Sequence, residues 1–156
     1  YFPAVDKDVQ QALLQADQII ITHEHGDHVA GVIRSPNVDL LAEKTLLNEA
    51  QVDSLINNPQ LPQIRLSEDL AERITPAAFE LLMAAAPGVV VIKSPGHTPG
   101  HQMLFVETAG DREYLFIGDV AWSMDNIATL KPRPAHTAGR IGEDIEALMQ
   151  QMRWIK

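Results

Sequence analysis

Residues 19–31 read IIITHEHGDHVAG, and the six positions His23–His28 hold three of the chain's six histidines together with Glu24 and Asp27. Imidazole and carboxylate are common zinc ligands. In an extended segment, residues two apart project to the same side. His23 and His25 are therefore placed to approach one ion together at the end of the III strand. Asp27 and His28 follow the turn expected at Gly26 and face a second point a short distance on. A lone histidine on an apolar face is most often structural. Three histidines and an aspartate spaced H-x-H-x-D-H are not explained by packing, and their geometry suits two adjacent metals better than one. Glu24 alternates away from its neighbours and is expected outside the ligand set or in solvent.

Two later loops supply residues of the same kind. SPGHTPGHQ (94–102) brings His97 and His101 directly after an apolar strand, and Pro95, Gly96, Pro99 and Gly100 punctuate its backbone into turns. FIGDV ends another apolar run with Gly118–Asp119. Taken alone, that aspartate caps a turn as readily as it binds a cation; beside the other two loops it becomes a candidate bridging carboxylate. The remaining histidine, His136, lies in PRPAHTAGR and reads as a surface residue or part of a substrate-side loop. Trp122 follows the aspartate and is expected either in the core, the commoner fate, or as a pocket wall.

Composition bounds what these residues serve. The chain has 156 residues, enough for one domain with its own core, and no cysteine, so thiolate ligands, disulfides and a cysteine nucleophile are excluded. A net charge of −9 argues against a basic nucleic-acid-binding face, so no nucleic acid is expected as a partner. No apolar run approaches the roughly 18 residues of a membrane span, and a soluble chain, with the cytoplasm favoured, is expected.

The elements that must position the loops follow from periodicity. DVQQALLQAD (8–17) is expected as an amphipathic helix and QIII as a buried strand leading into the cluster. Gly26 argues against a helix through the cluster itself, with a short helix or turn over HVAGVI. NVDLLAE reads as a strand. Residues 44–86 read as mostly helical: Ser67 starts one helix, and Thr75–Pro76 starts another that carries Phe79, Leu82, Met83 and Ala86 and ends at Pro87–Gly88. VVVIK is a strand, QMLFVE and EYLFIGD form a hairpin across TAGDR, and residues 143–155 form a closing helix with Ile145, Leu148, Met149, Met152 and Ile155 on one face. Strands alternate with helices, and polar loops follow strands, the arrangement of an α/β fold.

The three motifs THEHGDH (22–28), GHTPGH (96–101) and GD (118–119), in this order, resemble the metallo-β-lactamase superfamily. The resemblance implies an α/β, αββα four-layer sandwich, here a single domain over 1–156 that is incomplete at both ends, with a helical insertion at about 44–86. It implies His23, His25 and His97 as ligands of a first metal, Asp27 and His28 as ligands of a second, and Asp119 as the bridge. His101 corresponds to a histidine of the loop rather than of the metal shell. Family members carry one more histidine ligand well beyond the bridging aspartate; His136 lies too near Asp119 to be expected in that role.

The activity so implied is a binuclear metallo-hydrolase with a small-molecule substrate. Two zinc ions, or iron or manganese, ionise water near neutral pH for attack on an ester, thioester, lactone or β-lactam carbonyl. Asp27 is the expected catalytic residue, orienting that water and collecting its proton. The absence of cysteine and the acidic balance place the chain nearer the glyoxalase II and lactonase members than the nucleases. The rivals are an iron-dependent sulfur dioxygenase of the same fold and a metal-binding fragment without turnover.

Overall fold

The structure, a computed structural model, describes residues 3–74 and 76–156. It divides into two units, Tyr1–Ala78 and Phe79–Lys156.

In the first unit, α1 (Pro3–Gln15) begins earlier than its apolar stripe suggests. Beyond its C-terminal end, Lys44 Nζ donates to the carbonyls of Leu14 at 2.8 Å and Ala16 at 2.7 Å, placing a cation where the helix dipole is negative. β1 (Ile19–Ile20) pairs in parallel with β2 (Thr45–Leu46), Ile19 opposite Thr45. α2 (Gly26–Ile33) starts inside the histidine cluster rather than after it. Glycine is tolerated there because it occupies the first helical position, and its N–H, which no helical carbonyl could accept, donates to Gln60 Oε1 at 2.9 Å. Val29 and Val32, both buried, hold this helix to the core.

The expected strand NVDLLAE is instead α3 (Val38–Ala42). Ser35 Oγ accepts from the Asn37 N–H at 3.0 Å and turns the chain. Leu41 and Ala42 are then buried side by side while Asp39 and Leu40 are exposed, a grouping that a strand of period two cannot give. α4 (Glu49–Asn57) opens on a capping box: Asn48 Oδ1 accepts from the Gln51 N–H and Gln51 Oε1 accepts from the Asn48 N–H, both at 3.0 Å. Gln51 is fully buried, and its Nε2 donates to the Ile21 carbonyl at 3.0 Å, tying α4 to the segment that leads into the histidines. α5 (Glu68–Ala71) starts at Ser67 as expected, Oγ accepting from the Leu70 N–H. The expected cap at Thr75 lies outside the described residues. Ile19, Ile21, Val29, Leu41, Leu55 and Leu66 are among the residues of this unit's core.

The second unit is built on a four-stranded antiparallel meander, β3 (Leu82–Ala86), β4 (Val89–Lys93), β5 (Gln102–Glu107) and β6 (Glu113–Phe116). β3 replaces the expected helix over 79–86. The alanines of LMAAA favour a helix, but Leu82 pairs with Ile92 and Met83 with Val91, and ladder pairing against an apolar neighbour outweighs local propensity. Pro87–Gly88 is consequently a hairpin turn. Gly88 has φ +74°, and a Cβ there would lie 2.6 Å from the Glu107 carbonyl oxygen, so the turn requires glycine. β5 and β6 form the expected hairpin. α6 (Met124–Thr129) and α7 (Ala135–Ile141) precede α8 (Ile145–Ile155), whose N-terminus is capped by Asp144 Oδ1 accepting from the Ala147 N–H at 3.0 Å. Leu148 and Met152 of α8 meet Met103, Val120 and Ile127 in a second core. Full burial of a side chain such as Leu148 is worth about 1.5–3 kcal/mol.

Gln51→Ala removes half of the capping box and leaves the Asn48 N–H and the Ile21 carbonyl without that partner in the core. It is expected to destabilise the protein by about 1–3 kcal/mol, read as a lower midpoint in urea unfolding at unchanged slope.

Candidate metal site

The first unit presents its candidate ligands from a strand end and a helix start. His25 is the extended residue that precedes α2, with φ −69° and ψ 152°, and its carbonyl accepts the N–H groups of His28 and Val29 at 3.0 Å each. That turn folds Asp27 and His28 back toward the strand. The His23 ring, fully buried, lies 4.9 Å from that of His25 and 3.9 Å from that of His28, centroid to centroid. A ring nitrogen of His23 comes within 4.8 Å of one on His25 and of one on His28. His28 thus meets His23 directly, whereas the extended reading set it at a separate point. Thr22 Oγ1 lies 3.2 Å from His23 Nδ1 and 3.3 Å from His28 Nδ1, so one hydroxyl occupies the same side of both rings. Asp27 stands with its carboxylate 78% exposed and Oδ2 3.7 Å from His28 Nε2. Glu24 is buried at 5% exposure, so of the two expected places solvent is excluded.

In the second unit, the loop after β4 closes on itself: the Ser94 N–H donates to the His101 carbonyl and the His101 N–H to that of Thr98. Helix α8 holds it from outside, through Gln151 Nε2 donating to the Pro95 carbonyl at 2.7 Å. At Gly96 a Cβ would lie 3.2 Å from the Ala147 Cβ, and glycine lets the loop approach the helix. His97 is 2% exposed; its Nδ1 is 2.5 Å from Glu143 Oε1, and its Nε2 is 3.4 Å from Asp119 Oδ2. With its Nδ1–H donated to that carboxylate, the neutral ring would present Nε2 as a lone-pair donor. An imidazole lone pair and a carboxylate oxygen then face the same small space, a donor set suited to a divalent cation.

His101 is fully buried. Its Nδ1 lies 3.0 Å from the Ser94 carbonyl and 2.9 Å from Ser94 Oγ, and its Nε2 accepts the Asp119 N–H at 3.1 Å. It holds the main chain at Asp119. That aspartate sits in a short 3-10 turn, Gly118–Val120, after β6. Asp119 Oδ2 accepts Trp122 Nε1–H at 2.8 Å, and the Asp119 carbonyl accepts Arg133 at 2.5 Å. Trp122 is not a core residue: it is 58% exposed, with the Arg133 guanidinium 4.2 Å from its ring centroid. His136 lies in helix α7 rather than in a loop, is exposed, and among the described residues joins no group of ligand-type side chains.

Arg133 and Glu143 were not legible as site residues. Both side chains are buried, Arg133 at 5% and Glu143 at 0%, and they pair at 2.8 Å. Burial pushes the Arg133 guanidinium below its usual pKa, against the opposing pull of Glu143 and Asp119, and it stays charged at any ordinary pH. Nothing in KPRP or GED marks these residues. Ser94 and Thr22 could have been found as the hydroxyls adjoining each histidine motif.

The chain belongs to the metallo-beta-lactamase superfamily: the sequence profile of that family matches residues 4–148. N-acyl homoserine lactonase AiiA of Bacillus thuringiensis subsp. kurstaki is 27% identical over 108 residues, covering 69% of this chain and 40% of that protein. Hydroxyacylglutathione hydrolase of Albidiferax ferrireducens is 32% identical over 116 residues, 74% of this chain and 38% of the relative. The chain thus matches about two fifths of the length of these relatives. Among solved structures, a quorum-quenching N-acyl homoserine lactone hydrolase superposes with a TM-score of 0.70 at 20% identity, over 97% of this chain and 56% of the other. AidC, a dizinc quorum-quenching lactonase, does so with a TM-score of 0.62 at 17% identity, over 96% and 56%. The expected α/β fold class of metallo-β-lactamase type is therefore borne out.

His101→Leu removes the acceptor of the Asp119 N–H and is expected to cost about 1–3 kcal/mol in thermal or urea unfolding of the metal-free protein. Ser94→Ala, which leaves the Ser94 carbonyl in place, is expected to cost less than half as much.

Proposed function

We propose that this chain carries the metal-binding part of a hydrolase that opens a carbonyl bond in a small molecule of the lactone, ester or thioester class. In this reading His23, His25 and His97 would hold one zinc ion, Asp27 and His28 would hold a second, and Asp119 would serve both. The observation that carries the proposal is the pairing of His97 Nε2 with Asp119 Oδ2 at 3.4 Å while Glu143 occupies His97 Nδ1. The imidazole cluster of His23, His25 and His28 supports it from the other motif, and the names of the relatives, N-acyl homoserine lactonase and hydroxyacylglutathione hydrolase, support the substrate class. None of the helices among the described residues is long and apolar enough to cross a membrane.

Bound zinc supplies Lewis acidity and lowers the pKa of water toward neutrality. The chain's own residues do the rest. Thr22 Oγ1 stands against Nδ1 of both His23 and His28 and steadies the two rings. His101 and Arg133 fix the main chain of Asp119, and Trp122 orients its carboxylate. Asp27, the exposed carboxylate at the start of α2, orients the attacking water and takes its proton. Trp122 and Met124, 58% and 69% exposed, give the substrate side an apolar wall.

Elemental mass spectrometry of the protein purified without added metal tests this directly. One to two equivalents of zinc are expected, with loss in His23→Ala and Asp119→Ala, and the zinc-loaded protein is expected to act on a panel of lactones and thioesters. Iron in place of zinc, with oxygen consumption, would move the assignment to a sulfur dioxygenase; no bound metal would refute it. Asp27→Asn is expected to lower kcat by about 10²–10⁴-fold, the usual range for a lost acid–base group. It is expected to reduce the affinity of the first zinc far less.

A further inference from the structure

Two of the proposed ligands share one support. Glu143 Oε1 lies 2.5 Å from His97 Nδ1 and 2.8 Å from Arg133 Nη1, and Arg133 Nη2 reaches the Asp119 carbonyl at 2.5 Å. The ion pair is buried, so its two charges are poorly screened and hold one another in place. A buried pair of this kind is seldom a net source of stability compared with apolar residues of the same volume. It is explained better by what it holds than by what it adds to the core. Glu143 sits between α7 and α8, and its N–H donates to the Ala138 carbonyl at 3.0 Å. The neighbouring Asp144 N–H donates to the Gly96 carbonyl at 2.8 Å, so the main chain bearing Glu143 is itself fixed to the His97 loop. Arg133 is anchored on its other side by the Trp122 ring.

We propose that Arg133 and Glu143 are positioning residues for metal binding, acting on two ligands at once. Glu143 fixes the His97 ring as the Nδ1–H tautomer with Nε2 turned toward the metal, and Arg133 locks Glu143 and the main chain of Asp119 into one unit. The proposal rests on the assignment of His97 and Asp119 as ligands. It goes further in stating that affinity for the metal is tuned by a charge pair outside the proposed ligand set. Glu143→Gln keeps the shape but offers Nδ1 a weaker acceptor, or a donor if the amide turns. Arg133→Lys keeps the charge but cannot reach two partners with a planar fork.

The test compares the wild type with Glu143→Gln, Arg133→Lys and, as a control, Arg73→Ala, which removes an exposed ion-pair network in the first unit. Zinc affinity is read by competition with a chromophoric chelator, and ligand geometry by the visible spectrum of the cobalt-substituted protein. Glu143→Gln is expected to weaken binding by about 10–100-fold, the usual effect of losing the partner of a ligating histidine, and to alter the cobalt spectrum. Arg133→Lys is expected to weaken binding less, and Arg73→Ala not at all. Wild-type affinity and spectrum in Glu143→Gln would overturn the proposal while leaving the metal assignment standing. Nitrogen-15 NMR of the zinc-loaded wild type gives a second readout that needs no variant. His97 bound through Nε2 with its proton kept on Nδ1 is expected, and ligation through Nδ1 would overturn the proposal even if Glu143→Gln failed to fold. A wild type that binds no metal refutes the parent assignment and, with it, this one.

Discussion

An imidazole has two nitrogens, and a site made of histidines is defined only when one nitrogen of each ring is already committed. This requirement organises much of the polar structure around the candidate site. Thr22 lies beside Nδ1 of both His23 and His28, Glu143 takes Nδ1 of His97, and Ser94 takes Nδ1 of His101. A ring that donates its Nδ1–H has Nε2 for its task. For His101 that task is to accept the Asp119 N–H; for the other three the proposed task is ligation. The partners differ in strength. A charged carboxylate, itself held by a buried arginine, sits behind His97, while a single hydroxyl serves two rings of the first motif.

The scaffold keeps these partners in register by pinning the main chain on either side of them. In the first unit, Gln51 reaches the Ile21 carbonyl just before Thr22, and Gln60 receives the Gly26 N–H just after His25. In the second, Gln151 and the Asp144 N–H hold the carbonyls of Pro95 and Gly96. The His97 and Asp119 motifs follow the ends of β4 and β6, and the α7–α8 junction brings in Glu143 to meet His97. Helix α8 therefore has two duties that a hydrophobic stripe alone does not reveal. Leu148 and Met152 close the core, and its polar face and N-terminal flank steady the loop that bears His97.

The departures from the sequence reading have a common physical origin. NVDLLAE has the valine and leucines of a strand, but it follows the turn at Ser35 as a helix that buries Leu41 and Ala42 side by side. LMAAA has the composition of a helix, but an apolar strand that can pair with it lies only a turn away. Trp122 has the size of a core residue, but its indole N–H finds the Asp119 carboxylate and its ring finds Arg133, and it stays at the surface. In each case an interaction with a specific partner overrode a preference that belongs to the residue type alone.

What the sequence by itself determined is the chemistry. Residue types and spacings in three short motifs named the candidate ligands and led to the superfamily, because a histidine or aspartate brings its donor atoms wherever the chain puts it, and the absence of cysteine excluded thiolates. The strong local signals were legible too: the buried strand VVVIK, the hairpin across TAGDR, the start at Ser67 and the closing helix. Only the tertiary structure decided that Glu143 stands at Nδ1 of His97, that His28 meets His23, and that Arg133 and Glu143 support residues 14 and 46 positions away. Those facts depend on angles and distances between segments remote in the chain, and no spacing along a sequence encodes them.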